Sequence, residues 1–465
     1  MKNPKHDIGC RLAKFLVVIL ATVPFAICWY VYFADNIRDP FFNRGNWAII
    51  VIFLALYITF ARVYDAFWIS VNKSTELIYS QILSVVLSDA LMYIVIWLLN
   101  HDIPNIIPCL FALAGQIVLV VAWSFLARWW YFASFPPSKT VIVHSRRRDV
   151  AELFPQYGLD SKFDIQLSLD PASCVADLSI LNGFQTVFIC DVRSHDRNVI
   201  LKYCIANDIT MYVLPRIGDI IMSGARKVHM FHLPVLRVGR RNLRPEYAFS
   251  KRVCDILFSA LGLILLSPIM LVTAIAIKAH DGGPVLYKQE RLTKNGKHFK
   301  VMKFRSMRVD AEKDGKARLS TGDKDDRITP VGRVIRKVRI DELPQLFNVL
   351  SGSMSLVGPR PERPEIAKQY EQILPEFRLR LQAKAGLTGY AQVYGKYNTT
   401  PYDKLQMDLM YIANPSFLED LRIIMATIKI LFLPESTDGV TEGQTTAIEV
   451  RSESDERDLV GAGRK

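Results

Sequence analysis

Long apolar runs separated by short polar breaks fill the first 135 residues. Four of them, at 12–33, 47–67, 78–99 and 107–132, are long enough to cross a hydrocarbon layer of about 30 Å as helices. The first ends in Trp29-Tyr30-Val31-Tyr32-Phe33. Aromatics at that point suit an interfacial belt and not the small-residue cleavage site of a signal peptide. Lys2, Lys5, Arg11 and Lys14 surround the start of the first run, and Lys139 and Arg146-Arg147-Arg148 follow the fourth. The loop at His101-Asp102 has neither lysine nor arginine. Both ends of the four-helix set are therefore expected on the cytosolic side.

A fifth apolar run covers 253–277. Lys251 and Arg252 precede it, and Lys278, Lys288, Arg291 and Lys294 follow. Basic flanks at both ends argue that both lie on one side of the membrane. Ser267-Pro268 sits near the middle, and proline removes a backbone donor there. The pattern predicts a re-entrant hairpin broken at Ser267 and Pro268, its freed carbonyl met by the Ser259 or Ser267 hydroxyl. An ordinary kinked span is the competing prediction.

Between 138 and 245 the period changes. Short apolar runs at 140–143, 186–190 and 210–214 read as buried strands, with helical length between them, as at 198–206. That alternation predicts a small parallel α/β domain of Rossmann-like type. The first strand leads into His144-Ser145-Arg146-Arg147-Arg148-Asp149, without the glycines a dinucleotide loop needs. A cofactor site is therefore not expected. The three arginines read as a solvated face or topology signal, with anion binding as the sharper alternative.

Candidate chemistry lies further on. Eight basic residues and one acid, Glu290, fall between Lys288 and Arg308. The run Phe299–Phe304 reads as a strand with one basic face, where Lys303 and Arg305 either meet lipid headgroups or line a phosphate pocket. Asp341-Glu342-Leu343-Pro344 follows a basic, half-apolar stretch. Proline is tolerated only in a first helical turn, so the acid pair lies at or just before a helix start. Adjacent residues there diverge. One carboxylate could attack while the other holds a metal, although such pairs also serve as caps. In Gly358-Pro359-Arg360-Pro361 two prolines fix the backbone around Arg360, a residue type that matches phosphate bidentately. Gly386-Leu387-Thr388-Gly389 supplies glycines for a close backbone approach to a ligand.

Composition narrows the class. The chain has 465 residues, half of them hydrophobic, and a net charge of +13. Its mean hydropathy of +0.17 excludes a simple cytosolic enzyme and a mostly disordered chain. The positive excess suits nucleic acid, an anionic membrane face or a phosphorylated substrate. The seven cysteines are scattered and form no Cys-x-x-Cys, so buried thiols fit better than disulfides or zinc.

From Lys251 to about Leu433 the sequence resembles the bacterial sugar transferase family, the monotopic polyprenyl-phosphate hexose-1-phosphate transferases. Six ordered blocks carry the likeness. They are Lys251-Arg252-Val253-Cys254-Asp255-Ile256, Gly283-Pro284-Val285, Lys303-Phe304-Arg305-Ser306-Met307, Asp341-Glu342-Leu343-Pro344-Gln345-Leu346, Gly358-Pro359-Arg360-Pro361 and Gly386-Leu387-Thr388-Gly389. The four upstream helices and the α/β region resemble the family's large members.

The residues and the resemblance together give a membrane protein with transmembrane helices in 1–135, a Rossmann-like region in 138–245 and a catalytic α/β domain in 250–433 anchored by the re-entrant segment; the tail in 434–465 is polar, mixes Glu, Asp and Arg without apolar periodicity, and reads as disordered. The resemblance implies transfer of a hexose-1-phosphate from a UDP-sugar to undecaprenyl phosphate, releasing UMP, as the first membrane step of exopolysaccharide, capsule or O-antigen synthesis. Asp341 would be the nucleophile and Glu342 would hold Mg²⁺. Arg360, with Lys303, Arg305 and Pro359, would bind substrate phosphate. The implied setting is the bacterial inner membrane, with the catalytic domain facing the cytoplasm and membrane lipid around it. No nucleic-acid partner is implied, and regulation or homodimer contact are the candidate tasks of the middle region.

The sequence departs from the family at Ser353, where members usually carry an acid, and at Ile340, where they carry leucine. Asp408 reads as a structural ion-pair residue. Three rival readings remain: a dehydratase using Tyr247 and Lys251, a metal-dependent glycosyltransferase using Asp323-Lys324-Asp325, and a non-enzymatic scaffold binding anionic lipid.

Overall fold

The computed structural model describes residues 4–41, 44–145, 150–230, 232–240, 243–309, 311, 325, 327–395 and 399–431. The expected anion-binding run Arg146–Arg148, Asp323 and Lys324 of the Asp-x-Asp reading, and the 434–465 tail lie outside the described residues. The chain divides into two compact units, Met1–Arg216 and Ile217–Lys465. Among the described residues five helices are long and apolar enough to cross a membrane, and the protein is membrane-integral.

In the first unit the apolar runs form α1 (Pro4–Cys28), α2 (Gly45–Val63), α3 (Ser74–Asn100) and α4 (Ile107–Ser134). The aromatic stretch Trp29–Phe33 continues α1 with π-helical pitch. The bundle interior is apolar and close-packed, with Phe25 stacked on Phe53 at 4.4 Å. Some of its polar groups pair internally: Tyr57 donates to Gln81 at 2.6 Å, and Gln81 and Gln116 donate to the carbonyls of Ala66 and Ala21. In a hydrocarbon medium an unmet polar group costs several kcal/mol, so such bonds join helices. Outward faces carry Phe15, Val51, Phe111 and Leu126, all exposed.

Next come β1 (Ser138–His144), α5 (Val150–Gln156), β2 (Phe163–Leu169), α6 (Pro171–Ala176), β3 (Thr186–Cys190), α7 (Ser194–Ala206) and β4 (Thr210–Val213). The strands form a parallel sheet in the order β2-β1-β3-β4. Val141, Val143, Val187 and Ile189 are buried on it. The predicted strands and helix are present. The strand β2 was not anticipated: Asp164, Gln166 and Ser168 alternate with its apolar residues, as on a half-exposed edge strand.

The second unit begins with α8 (Ile217–Ser223), whose Ile220 is buried with Tyr370 and Leu405 of the same unit. That unit continues with the hairpin β5 (Arg226–Met230) and β6 (Leu233–Arg237), then α9 (Pro245–Asp281) and the antiparallel pair β7 (Leu286–Leu292) and β8 (His298–Phe304). After these come α10 (Pro330–Lys337), a 3-10 turn at Ile340–Glu342, α11 (Gln345–Ser351), β9 (Ser355–Val357) and α12 (Pro364–Ile373). The 3-10 segment Pro375–Gln382, β10 (Gly386–Thr388), α13 (Tyr390–Val393), α14 (Pro401–Ala413) and α15 (Phe417–Leu431) complete it.

The helical hydrogen bonding of α9 runs from Pro245 to Asp281 with Pro268 inside it, where a two-helix hairpin was expected. Pro268 has no N–H to offer the carbonyl four residues back, that of Ile264. The Ser267 hydroxyl donates to that carbonyl at 2.7 Å, which lets the helix continue through the proline. Both ends of α9 are fastened to the second unit. Arg252 donates to the carbonyls of Val349 and Leu350, and Asp255 accepts from the Ser355 hydroxyl and the Leu356 N–H. At the far end Ile277 is buried against Phe304 and Ile335. Between these anchors Leu257, Leu261, Ile264, Leu265, Leu271 and Val272 face outward.

The strand expected at 299–304 is β8, but it has no single basic face. Lys300 and Lys303 are an odd number of residues apart and so point to opposite sides of the pleat. Both sides are packed, through Val301 on one and Phe304 on the other.

Candidate active site

The acid pair stands where α10 turns into α11. Thr329 caps α10 by accepting from the Gly332 N–H at 2.9 Å, and the helix ends at Lys337. Arg339 then adopts a left-handed backbone (φ 55°), sparsely populated for a non-glycine residue. The chain reverses there and enters the turn that holds Asp341 and Glu342. Pro344 is the N-cap residue of α11, as its lack of a donor allows. Leu346 and Val349 are buried beneath, so the turn sits on a packed base.

Three predicted site residues meet here. Lys303, at the end of β8, donates to Glu342 Oε1 at 3.0 Å. Arg360 donates to the same oxygen at 3.1 Å. Burial opposes the charge on Glu342, yet Lys303, then Arg360 and Arg339, hold its carboxyl well below the usual carboxylate range. Asp341 moves the other way. Burial and then the charge of Glu342 raise it from 3.8 to about 6, against the pull of Lys303, Arg336 and Arg360. Among the described residues the Asp341 carboxylate has no hydrogen-bond partner, so it is not tied up as a cap. The pair thus has one carboxylate locked between two cations and one without a partner.

Arg360 is held from behind. Arg380 donates to its carbonyl at 2.8 Å and pairs with Asp408 at 2.7 Å and with Glu362 at 3.5 Å. Arg291 donates to the Pro361 carbonyl at 3.0 Å. Arg380 and Asp408 are almost fully buried. Asp408 therefore takes the ion-pair position read from the sequence, while Arg380 and Arg291 were not singled out. Their partners lie 20 and 70 residues away, and no local pattern marks them.

The remaining candidates are placed elsewhere. Arg305 is buried and pairs with Asp281 at the end of α9; it makes no bond to Asp341 or Glu342 among the described residues. Pro359 offers its carbonyl to the Gly386 N–H at 2.9 Å and fixes the turn. The glycines of 386–389 do allow a close approach, but to the chain's own backbone. A Cβ on Gly386 would lie 2.1 Å from the Gly358 nitrogen. Of the rival motifs, Tyr247 and Lys251 both bond Asp420 on α15, a structural cluster. Asp325 pairs with its own neighbour Arg327. Ser353, at the altered turn, donates to the Asn348 carbonyl at 3.0 Å.

Residues 246–434 match the sequence model of the family described as bacterial sugar transferase. A UDP-glucose:undecaprenyl-phosphate glucose-1-phosphate transferase of Caulobacter vibrioides is 39% identical over 44% of this chain and 78% of its own length. The chain belongs to the bacterial sugar transferase family. Other sugar transferase relatives differ in named sugar. A UDP-N-acetylgalactosamine-undecaprenyl-phosphate N-acetylgalactosaminephosphotransferase of Aeromonas hydrophila is 39% identical over 50% of this chain and 54% of its own. A UDP-glucose:undecaprenyl-phosphate glucose-1-phosphate transferase of Klebsiella pneumoniae is 44% identical over 40% of this chain and 41% of its own. The chain thus spans about half the length of these last two curated relatives.

Proposed function

We propose that the protein transfers a sugar-1-phosphate from a UDP-sugar to undecaprenyl phosphate and releases UMP, as the first membrane step of exopolysaccharide, capsule or O-antigen synthesis. The observation that carries this is the asymmetry of the acid pair: Glu342 fixed by Lys303 and Arg360, Asp341 beside it without a partner. Phosphoryl transfer asks chiefly for positioning and for neutralisation of charge. Asp341 attacks the sugar-bearing phosphorus, the bond to the UMP oxygen breaks, and UMP leaves with that electron pair. The acceptor phosphate oxygen then attacks the same phosphorus and Asp341 departs as carboxylate. Arg360 and Lys303 face the transferred phosphoryl group across Glu342.

Lys303 and Arg360 both bond Glu342 through Oε1, and the carboxylate would face a divalent cation with Oε2. One protein carboxylate plus substrate phosphates is an ordinary Mg²⁺ ligand set. When bound, Mg²⁺ supplies neutralisation of the diphosphate charge.

The first four long helices are read as spans and α9 as re-entrant. Its two ends are fastened to one folded unit and its flanks are basic, so a straight crossing would tear one anchor loose. That reading puts the acid pair at the membrane face, on the cytoplasmic side of a bacterial inner membrane. Dimer contact through the parallel-sheet region is an attached proposal.

The test is UMP release from a panel of UDP-sugars with undecaprenyl phosphate and Mg²⁺, for the wild type and Asp341→Asn. Release with one sugar, lost in the variant, supports the reading and names the donor. Release that survives Asp341→Asn overturns the assignment of the nucleophile.

A further inference from the structure

The Ser351-Gly352-Ser353 turn between α11 and β9 is ringed by cations from three separate segments. Arg252 donates to the carbonyls of Val349 and Leu350 at 2.8 Å each. Its guanidinium lies over the turn, 3.2 Å from where a Cβ on Gly352 would stand. Thr293 ties in the other two segments: its hydroxyl donates to the Ser353 carbonyl at 3.3 Å and accepts from the Ala385 N–H at 3.1 Å. Lys294 follows Thr293, and Lys384 precedes Ala385.

Among the described residues, none of Arg252, Lys294 and Lys384 pairs with an acid. Lys251, the next cation, is already committed to Asp420 at 2.9 Å. Asp255 is the acid that acts on Lys384, but its Oδ1 accepts from Ser355 and Leu356. Burial, then the charge of Arg252, lowers the Lys384 ammonium below its ordinary range; Asp255 opposes this, and Lys294 and Lys251 add to it. Among the described residues the ring is a concentration of positive charge with no ion-paired acid; the buried Asp255 is the nearby counter-charge, set against four cations.

Its place along α9 says what meets it. Phe249 is exposed one turn before Arg252, and from Val253 the outward apolar surface is continuous through Ile256, Leu257, Phe258 and Leu261. Cations at the point where an apolar helix leaves water lie at the level of lipid phosphates. We propose that Arg252, Lys294 and Lys384 bind the phosphate of an anionic phospholipid headgroup, at a site separate from Asp341 and Glu342. None of the three bonds either member of the acid pair among the described residues. The inference rests on α9 lying in a bilayer and not on the transferase reading.

The test uses the full chain in phosphatidylcholine nanodiscs containing a minor share of phosphatidylglycerol, with retained lipid read by native mass spectrometry. Lys294→Gln, Lys384→Gln and the double variant are compared with the wild type and with Lys297→Gln, an exposed lysine outside the ring. Each ring lysine removed is expected to lower phosphatidylglycerol retention about five-fold, and the double variant about twenty-five-fold. Phosphatidylcholine retention and the Lys297→Gln control should stay level. Equal retention by wild type and double variant overturns the site. An equal loss in Lys297→Gln overturns it too, since that reports general surface charge. A parallel set of discs carries undecaprenyl phosphate. If the double variant loses that lipid and keeps phosphatidylglycerol, the ring belongs to the acceptor and the proposal falls.

Discussion

Arg380 donates to the carbonyl of Arg360 at 2.8 Å, so a buried ion pair sets the position of an exposed guanidinium. The geometry gives Arg380 a positioning role. Arg380→Lys keeps the charge facing Asp408 but loses the planar fork that reaches two partners at once. Sugar-phosphate transfer is expected to fall about ten- to a hundred-fold in kcat/KM. Arg380→Ala should also lower stability by about 3–5 kcal/mol, because Asp408 is left buried without its partner. Thermal unfolding beside steady-state kinetics separates the two effects.

The acid pair carries a pH signature. As nucleophile Asp341 must be ionised, so the rate should drop as pH falls through about 6. In Glu342→Gln a like charge next to Asp341 disappears, and the acid limb should move down toward the ordinary aspartate range. The rate on the plateau should fall about a hundred-fold, since Lys303 and Arg360 lose their common anchor. Stability runs the opposite way from rate. Between about pH 4 and 6 the folded chain holds a proton on Asp341 that the unfolded chain has lost. The contribution of this carboxyl to stability therefore decreases as pH rises through that window. Denaturant titrations at pH 5 and 7, with Asp341→Asn as reference, measure it.

Ser267 and Pro268 form a second testable unit. Ser267→Ala leaves the Ile264 carbonyl without its donor, at a cost of about 1–3 kcal/mol in a water-poor setting. Pro268→Ala restores the backbone N–H and favours a straight helix. Cysteine labelling at both flanks of α9 should report one-sided access in the wild type. A growing fraction with opposite-sided flanks is expected in Pro268→Ala.

Gly386→Ala tests the crossing of β9 and β10. The added methyl would collide with the Gly358 backbone nitrogen, which cannot move aside as a flexible side chain would. A loss of more than about 4 kcal/mol is expected, read as a fall in midpoint temperature.

The acid pair could be read from the sequence because Pro344 forces a helix start directly after it, and that constraint is local. The four long apolar helices of the first unit were legible for the same reason, since each run satisfies its own backbone. The strand β2 escaped because Asp164, Gln166 and Ser168 break its apolar run at an exposed edge. The start of the second unit at Ile217 has no local mark, because Ile220 is buried by Tyr370 and Leu405, well over a hundred residues away. Lys303 was singled out but given the same face as Lys300, where counting parity along the strand separates them. Arg305 matched the motif as well as Lys303 did, yet its pairing with Asp281 depends on where α9 ends. Sequence reasoning thus reached what nearest neighbours dictate and missed what distant segments bring.

The double fastening of α9 also changes the geometry of the search for substrate. A domain tethered by one flexible anchor would sample many heights above the bilayer. With α9 re-entrant as proposed, and Arg252 and Ile277 both fixed to the same unit, the distance between Asp341 and the lipid surface would be a property of the fold. In the proposed transfer a water-soluble donor would arrive from three dimensions and a lipid acceptor from two, toward a reaction plane that is already set.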